Sequence, residues 1–259
     1  MSPDKVIDRS LQLDHPLTRY ALFLDVDGTL LPIAERPDQV RVPFSLLGTL
    51  HHLRDGFLGA LALVSGRAIA DLDALFEPLA LPAAGVHGLE LRHSDGHCCR
   101  SSNESLLEPL RTPLRAFAER TPGLLLEDKG LSLALHYRLA PEREAEVARR
   151  IDELLGGSLP DLEVTQGKMV FEVKPSGCNK GTAIGAFMEE PPFSGRKPIF
   201  LGDDITDEDG FVAVNRLDGI SVKVGETGAS QAKHRLPNEA AVHSWLAQLV
   251  DSSNSQERE

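Results

Sequence analysis

The chain is poor in cysteine, in basic residues and in long apolar runs, and each shortage closes off a class of protein. Three cysteines, two of them adjacent (Cys98 and Cys99), cannot build a disulfide framework, and their spacing fits no zinc site. They read as reduced thiols, so a cytoplasmic location is expected. Lysine and arginine number 27 against 39 acidic residues, a formal charge of −12. Phosphate backbones require clustered Lys and Arg, so no nucleic-acid partner is expected. A small anionic substrate in one local basic pocket remains compatible with that balance. No stretch approaches the roughly 18 apolar residues of a membrane helix. Met1 to Tyr20 is polar and interrupted by Asp4, Asp8 and Asp14, without a signal-peptide apolar core. Internal repeats and low-complexity tracts are also missing.

What is present is ordinary globular material. With 41% hydrophobic and 25% charged residues the whole length cannot be disordered. At roughly 100–200 residues per domain, 259 residues make one large domain or two modest ones. Short apolar runs alternate with amphipathic stretches. Ala21 to Leu24 ends at an aspartate, as a buried strand would. Leu46, Leu47, Leu50 and Leu53 share a helical face, and Gly59 to Val64 is a second buried strand. Lys197 to Leu201 and Ile220 to Val224 are further strands, with helices near Thr182 to Met188 and Asp207 to Val214. Strand and helix in alternation predict a parallel sheet covered on both faces.

The middle of the chain follows another pattern. A helical stretch over Glu104 to Arg120 precedes paired strands at Leu124 to Glu127 and Ser132 to Tyr137, across a turn at Gly130. Pro141 opens a helix whose Val147, Ile151, Leu154 and Leu155 share a face, and Gly156-Gly157 stops it. Strands at Leu162 to Thr165 and Met169 to Val173 flank a turn at Gly167. This is an α+β unit inserted into an α/β domain, with expected divisions at 1–102, 103–175 and 176–259. The tail from Asp251 to Glu259 is polar and expected to fray.

The densest chemistry is Asp25-Val26-Asp27-Gly28-Thr29-Leu30, directly after the first strand. Ligands of open α/β sheets bind beyond the carboxyl ends of strands. Two aspartates set two apart can divide nucleophilic attack and metal binding from proton transfer; the plainer reading is an Asp-Gly turn. Val64-Ser65-Gly66-Arg67 places a hydroxyl and a helix start where an anion could bind, or where the helix merely needs a cap. Asn179-Lys180-Gly181 puts a cation at a helix N-terminus, which the helix dipole disfavours unless the lysine has another task. Leu201-Gly202-Asp203-Asp204-Ile205-Thr206-Asp207 crowds three acids within one loop. Hard oxygen ligands of that kind suit Mg²⁺.

In order and context these four segments resemble the four motifs of the haloacid dehalogenase superfamily. The resemblance implies a Rossmann-like core with a parallel sheet, an inserted α+β cap and a phosphatase or phosphotransferase activity. It assigns nucleophilic attack on phosphorus to Asp25, and leaving-group protonation and water activation to Asp27. Ser65 and Lys180 would hold the phosphoryl oxygens. Mg²⁺ would sit on Asp25, the Asp27 carbonyl and Asp203, with Asp204 or Asp207 adjacent.

Segments in and before the inserted unit narrow the resemblance. Gly85-Val86-His87-Gly88-Leu89-Glu90, Glu127-Asp128-Lys129-Gly130-Leu131-Ser132, His136-Tyr137-Arg138 and Gly167-Lys168-Met169-Val170-Phe171-Glu172-Val173-Lys174-Pro175 are similar to those of the trehalose-6-phosphate phosphatase family. By that similarity Glu127, Lys129 and Glu172 would hydrogen-bond sugar hydroxyls. His87, Glu90, Arg138 and Lys168 would be further contributors, with Gly66 and Arg67 beside the phosphate. A carboxylate accepts from vicinal hydroxyls and an ammonium donates to several oxygens. Hairpin-turn charges are the plainer reading of Glu127 and Lys129, and His136 could be a packing histidine. Another sugar-phosphate phosphatase would keep the core motifs and change the cap. A non-catalytic carbohydrate-binding protein would have no use for both Asp25 and Asp27.

Overall fold

A computed structural model describes residues 11–13, 16–33, 40–156, 161–226 and 228–256. The described residues divide into two compact units. The first takes the chain up to Cys98, Asn179–Asp203 and everything from Asp207 onward; the second takes Cys99–Cys178 with Asp204–Thr206.

In the first unit the apolar runs form strands β1 (Tyr20–Leu24), β2 (Leu61–Val64) and β3 (Ala83–Gly85), and after the insertion β10 (Lys197–Gly202), β11 (Ile220–Val224) and β12 (His234–Leu236). Their sheet order is β12-β11-β10-β1-β2-β3, all parallel, extended by β4 (Glu90–Arg92) and then by β5 (Cys98–Arg100), a strand that straddles the division between the units. Every residue of β1 and β2 is buried, which is why these strands read as continuous apolar runs rather than alternating ones. Helices α1 (Phe44–Gly56) and α2 (Ile69–Phe76) carry the crossovers toward β3, whereas α6 (Glu208–Arg216) carries the crossover the other way, from β10 to β11. Right-handed crossovers running in opposite directions place their helices on opposite faces. Accordingly α1 packs with α7 (Glu239–Gln256), and α6 packs with α5 (Lys180–Met188). The core between the layers includes Phe23, Phe187, Phe193, Phe200, Phe211 and Trp245.

The sheet departs from the expectation at one edge, where β3 and β4 pair antiparallel. Short strands of three residues leave little periodicity to read. The last helix also runs on to Gln256, into the tail expected to fray. Asp4, Asp8, Asp14 and Gly157 lie outside the described residues.

The second unit contains α3 (Glu108–Arg120), β6 (Leu125–Asp128), β7 (Leu133–His136), α4 (Glu144–Leu155), β8 (Leu162–Gly167) and β9 (Val170–Pro175). Its antiparallel sheet runs β6-β7-β9-β8. Leu133, Leu135, Phe171 and Val173 pack with Leu110 and Leu114 of α3 and Val147 and Ile151 of α4. The helix expected from Glu104 instead starts at Glu108, after a 3-10 turn over Asn103–Leu107, because Pro109 fits only a first turn. Gly156, left-handed at φ 58°, ends α4. The β8–β9 turn falls on Lys168-Met169 rather than Gly167. Gly167 stays in β8, and Met169 takes the left-handed position at φ 61°.

Arg111 ties α3 to the β6–β7 turn. Its guanidinium donates to Glu108 Oε1 (3.0 Å), to the Gly130 carbonyl (2.6 Å) and to Asp128 Oδ1, which also accepts from the Gly130 N–H (3.0 Å). Partial burial acts to raise the Asp128 carboxyl, but these donors outweigh it and hold the group below its ordinary value. A carboxyl lowered on folding adds stability above its unfolded value, and that stability disappears as pH falls through the folded value. Between neutral pH and pH about 3, wild type should therefore lose a share of stability that Asp128→Asn lacks throughout. The variant should be about 1 kcal/mol less stable at neutral pH. Urea midpoints of both proteins across that range check this, and parallel pH curves would refute it.

Candidate active site

The strand order puts the two acidic segments side by side. β1 and β10 are neighbours, and their crossovers leave in opposite directions, so their carboxyl ends flank the crevice at which ligands of such sheets bind. Asp25 follows the last residue of β1, and its N–H donates to the Leu201 carbonyl (3.0 Å). Asp203 follows the last residue of β10. Past Asp25 the chain folds back tightly, with the Val26 carbonyl accepting from Leu30 and Leu31 (both 2.9 Å) and the Gly28 N–H donating to the Leu31 carbonyl (2.6 Å). Gly28 is left-handed, φ +85°, and a Cβ there would lie 2.2 Å from Asp203 Oδ2. Only glycine satisfies both conditions.

Lys180 begins α5 behind a capping box in which Asn179 Oδ1 accepts from the Thr182 N–H (2.8 Å). Its ammonium, 3% exposed, donates to Asp25 Oδ1 (2.7 Å) and Asp207 Oδ1 (2.6 Å). Asp207 Oδ2 accepts from the Asp203 N–H (2.9 Å), and Thr29 Oγ1 donates to Asp25 Oδ2 (3.3 Å). Burial acts to strip the proton from Lys180, but the two carboxylates outweigh it and keep the group an ammonium. Burial pushes the Asp25 carboxyl well above the usual range; Lys180 opposes this, while Asp207 and Asp203 reinforce it.

Carboxylate oxygens of Asp25, Asp203 and Asp207 lie within 4.8 Å of one another, all three residues buried. Three acids against one ammonium is a set that a hard divalent cation would neutralise, and Gly28 keeps the space beside Asp203 clear. The donor set therefore fits Mg²⁺. Asp204 is not in the cluster; its Oδ1 accepts from the Ile205 N–H (2.8 Å).

Asp27 is gripped by Arg67 through a fork, Nε to Oδ2 at 2.7 Å and Nη2 to Oδ1 at 2.6 Å. Ser65, buried at the end of β2, accepts the Arg67 N–H on Oγ (3.2 Å). The loop behind it is held by left-handed Val86 (φ 46°) and His87 (φ 55°), a conformation costly for a β-branched residue. The Val86 N–H donates to the Arg67 carbonyl (2.9 Å) and the His87 N–H to the Ser65 carbonyl (3.0 Å). The His87 ring lies over Gly66, where a Cβ would come within 2.6 Å of Nε2. Glu90 accepts the Ile69 N–H (2.8 Å) and so caps α2, whose own N-cap Ala68 has no side-chain acceptor.

The remaining candidates belong to the second unit. His136 Nε2 lies 2.8 Å from Glu127 Oε2, and Lys129 Nζ lies 3.3 Å from Glu172 Oε1. Ser132 Oγ donates to the same Glu172 oxygen at 2.5 Å. Burial acts to raise Glu127, but the His136 hydrogen bond and the Lys129 charge outweigh it, and the carboxyl is held low. Arg138 donates to the Lys168 carbonyl (3.4 Å) beside the hairpin tip, where the Lys168 side chain is exposed.

Three contacts escaped the sequence: Asp207 as the second partner of Lys180, the Arg67–Asp27 fork, and Thr29 on Asp25. The signals were present in the third acid of the Asp203–Asp207 loop and the threonine after Gly28. No local signal announces a pair 40 positions apart.

The family profile described as trehalose-phosphatase matches residues 23–242. The chain is 46% identical over 246 residues to a trehalose-6-phosphate phosphatase of Escherichia coli (strain K12), covering 93% of this chain and 90% of that one. A solved trehalose-6-phosphate phosphatase related protein superposes with a TM-score of 0.77 at 27% identity, covering 91% of this chain and 99% of the other. A haloacid dehalogenase-like hydrolase from B. subtilis, 14% identical, shares the fold with a TM-score of 0.64 over 89% and 99% of the two chains.

Gly28→Ala should force Asp203 away from Asp25 and cut phosphate release by roughly 100-fold, the scale of a 1 Å misplacement in a preorganised site. Steady-state release of inorganic phosphate measures it, and a variant within a few-fold of wild type would show that the close approach is not needed.

Proposed function

The chain belongs to the trehalose-phosphatase family, and on that premise we propose that it hydrolyses trehalose 6-phosphate to trehalose and phosphate through an aspartyl-phosphate on Asp25. The observation that carries the chemistry is the convergence of Asp25, Lys180, Asp203 and Asp207 at the carboxyl edge of β1 and β10.

Phosphoryl transfer asks for positioning and neutralisation of charge on the equatorial oxygens. Lys180 fixes Asp25 Oδ1, with Asp207 holding the ammonium from the far side. Thr29 holds the other oxygen of Asp25. A carboxylate oxygen of Asp25 attacks phosphorus, and the bond to the sugar oxygen breaks. Asp27 gives its proton to that departing oxygen and then, as a carboxylate, takes one from water. The water oxygen attacks phosphorus, the bond to Asp25 breaks, and phosphate leaves with both aspartates restored. Arg67 binds both oxygens of Asp27 through two parallel hydrogen bonds and must release one of them for the proton transfer. Ser65 and Lys180 serve the phosphoryl oxygens. Mg²⁺ would be held by Asp25, the Asp27 carbonyl and Asp203, and when bound it would neutralise developing negative charge. Asp207 then acts as the holder of Lys180 and of the Asp203 backbone, and Asp204 lies outside the set.

The second unit is the cap in this proposal, with Glu127, Lys129 and Glu172 reading the sugar hydroxyls. Arg138 and Lys168 flank the β8–β9 hairpin as further sugar contacts, whereas the capping bond of Glu90 favours a structural task. His87 packs on Gly66 and supports the phosphate loop. The domain divisions are proposed at 1–102, 103–175 and 176–259, within a few residues of where the compact units part at Cys98/Cys99 and Cys178/Asn179. No helix among the described residues is long and apolar enough to cross a membrane. The three free cysteines support a reducing compartment, and the cytoplasm is the location we propose.

Asp25→Asn should lower turnover by roughly 10³-fold or more while leaving trehalose 6-phosphate binding measurable by calorimetry. Persistent turnover in that variant would overturn the nucleophile. A chelator should abolish phosphate release and added Mg²⁺ should restore it; unchanged activity after chelation would remove the metal. A panel of sugar phosphates should show trehalose 6-phosphate as the preferred substrate, and equal rates across the panel would overturn the assignment.

A further inference from the structure

We propose that His136 and Ser132 are positioning residues for sugar recognition, each fixing one of the two carboxylates that hold the hydroxyls of a disaccharide phosphate. The inference rests on the function proposed for the chain and concerns residues that the sugar does not need to touch.

It begins with the period of the sheet. Leu133 and Leu135 of β7 and Phe171 and Val173 of β9 point into the core against α3 and α4. The intervening residues point the other way. On that second face Glu127 of β6 stands directly opposite Ala134 of β7, and Ala134 directly opposite Glu172 of β9. Two carboxylates thus face the same side at two strand spacings, about 10 Å apart at their Cα atoms, with only a methyl group between them.

Ser132 and His136 lie on either side of Ala134 on the same face, each diagonal to one carboxylate. His136 Nε2 donates to Glu127 Oε2 (2.8 Å), and Ser132 Oγ donates to Glu172 Oε1 (2.5 Å), which Lys129 also approaches (3.3 Å). Reading along β7, the face is donor, methyl, donor. Each donor takes hold of one oxygen of a carboxylate, which fixes the plane of the group.

Stability does not call for this arrangement. A cross-strand His–Glu pair whose side chains are only 21% and 28% exposed offsets its attraction with desolvation, so it adds little net stability. Glu172 is 5% exposed, and a buried carboxylate costs more than the apolar or hydroxyl side chain that a sheet would otherwise carry there. Placement serves recognition instead. A carboxylate already held in plane loses little freedom when a hydroxyl docks on it, so the gain appears in substrate affinity rather than in the chemical step.

The test compares two substrates and closes two double-mutant cycles. His136→Phe should raise the KM for trehalose 6-phosphate roughly tenfold, the size of one charge-assisted hydrogen bond. It should leave kcat, and kcat/KM for p-nitrophenyl phosphate, within about twofold. His136→Gln, which keeps an N–H donor, should recover most of the loss. Ser132→Ala should behave alike, with Ser132→Thr as its conservative rescue. If His136 acts through Glu127, adding His136→Phe to Glu127→Gln should produce no further change, and the same should hold for Ser132→Ala in Glu172→Gln. Equal losses on both substrates, additive double variants, or an unchanged KM would each overturn the proposal. A wild-type enzyme showing no preference for trehalose 6-phosphate would instead overturn the function beneath it, before any variant is made.

Discussion

The rest of the first unit depends on one buried charge, the ammonium of Lys180. An ammonium out of water is tolerated only when carboxylates surround it closely, because an unpaired buried charge costs several kcal/mol. Its partners come from the end of β1 and from the loop after β10, so both must reach the start of α5. That requirement accounts for the local oddities around it. Gly28 and Gly202 lack side chains because Asp203 and Asp207 occupy the volume that a Cβ would need. The Asp203 N–H donates to Asp207 Oδ2, so the carboxylate that holds the lysine through Oδ1 also holds the second acid. Charge satisfaction, close backbone approach and sheet order are thus one constraint expressed at three scales.

That constraint explains which parts of the protein were legible in advance. β1, β2 and β10 were readable because strands buried on both faces run nearly continuously apolar, whereas β11 carries buried Ser221 and Lys223 between its apolar residues. The acids following β1 and β10 were readable because polar residues at the end of such a strand stand out. The antiparallel pairing of β4 with β3 was not, since these three-residue strands carry no periodicity. The β8–β9 turn was misplaced by one step for a similar reason. A glycine beside a hairpin looks like its turn, yet the left-handed position went to Met169.

The site was legible as a set of residues and illegible as a set of pairings. Lys180 at a helix N-terminus signalled a function because the helix dipole disfavours it there; its partner Asp207 was visible only as one acid among three. Arg67 could be expected beside a phosphate, but its fork onto Asp27 depends on where the β2–α2 turn emerges relative to β1. Glu90 shows the converse. The family resemblance offers it as a further sugar contact, and in the structure its carboxylate also caps the N-terminus of α2, which lacks a local cap. Side chains that satisfy long-range needs look, in sequence, the same as those that meet a ligand.

The two units illustrate two ways of making acidic side chains useful. In the first, carboxylates converge on a cation, and burial disfavours the charged form of Asp25. In the second, carboxylates are spread by strand spacing across a flat face and each is held low or in plane by a neighbouring donor. The first arrangement is poised to stabilise charge that develops during a reaction. The second presents oriented carboxylate acceptors, the arrangement that the proposed recognition of sugar hydroxyls would use. A net charge of −12 therefore carries two distinct electrostatic tasks, and the basic residues that matter are the few placed among the acids: Lys180 and Arg67 in the first unit, Lys129 in the second.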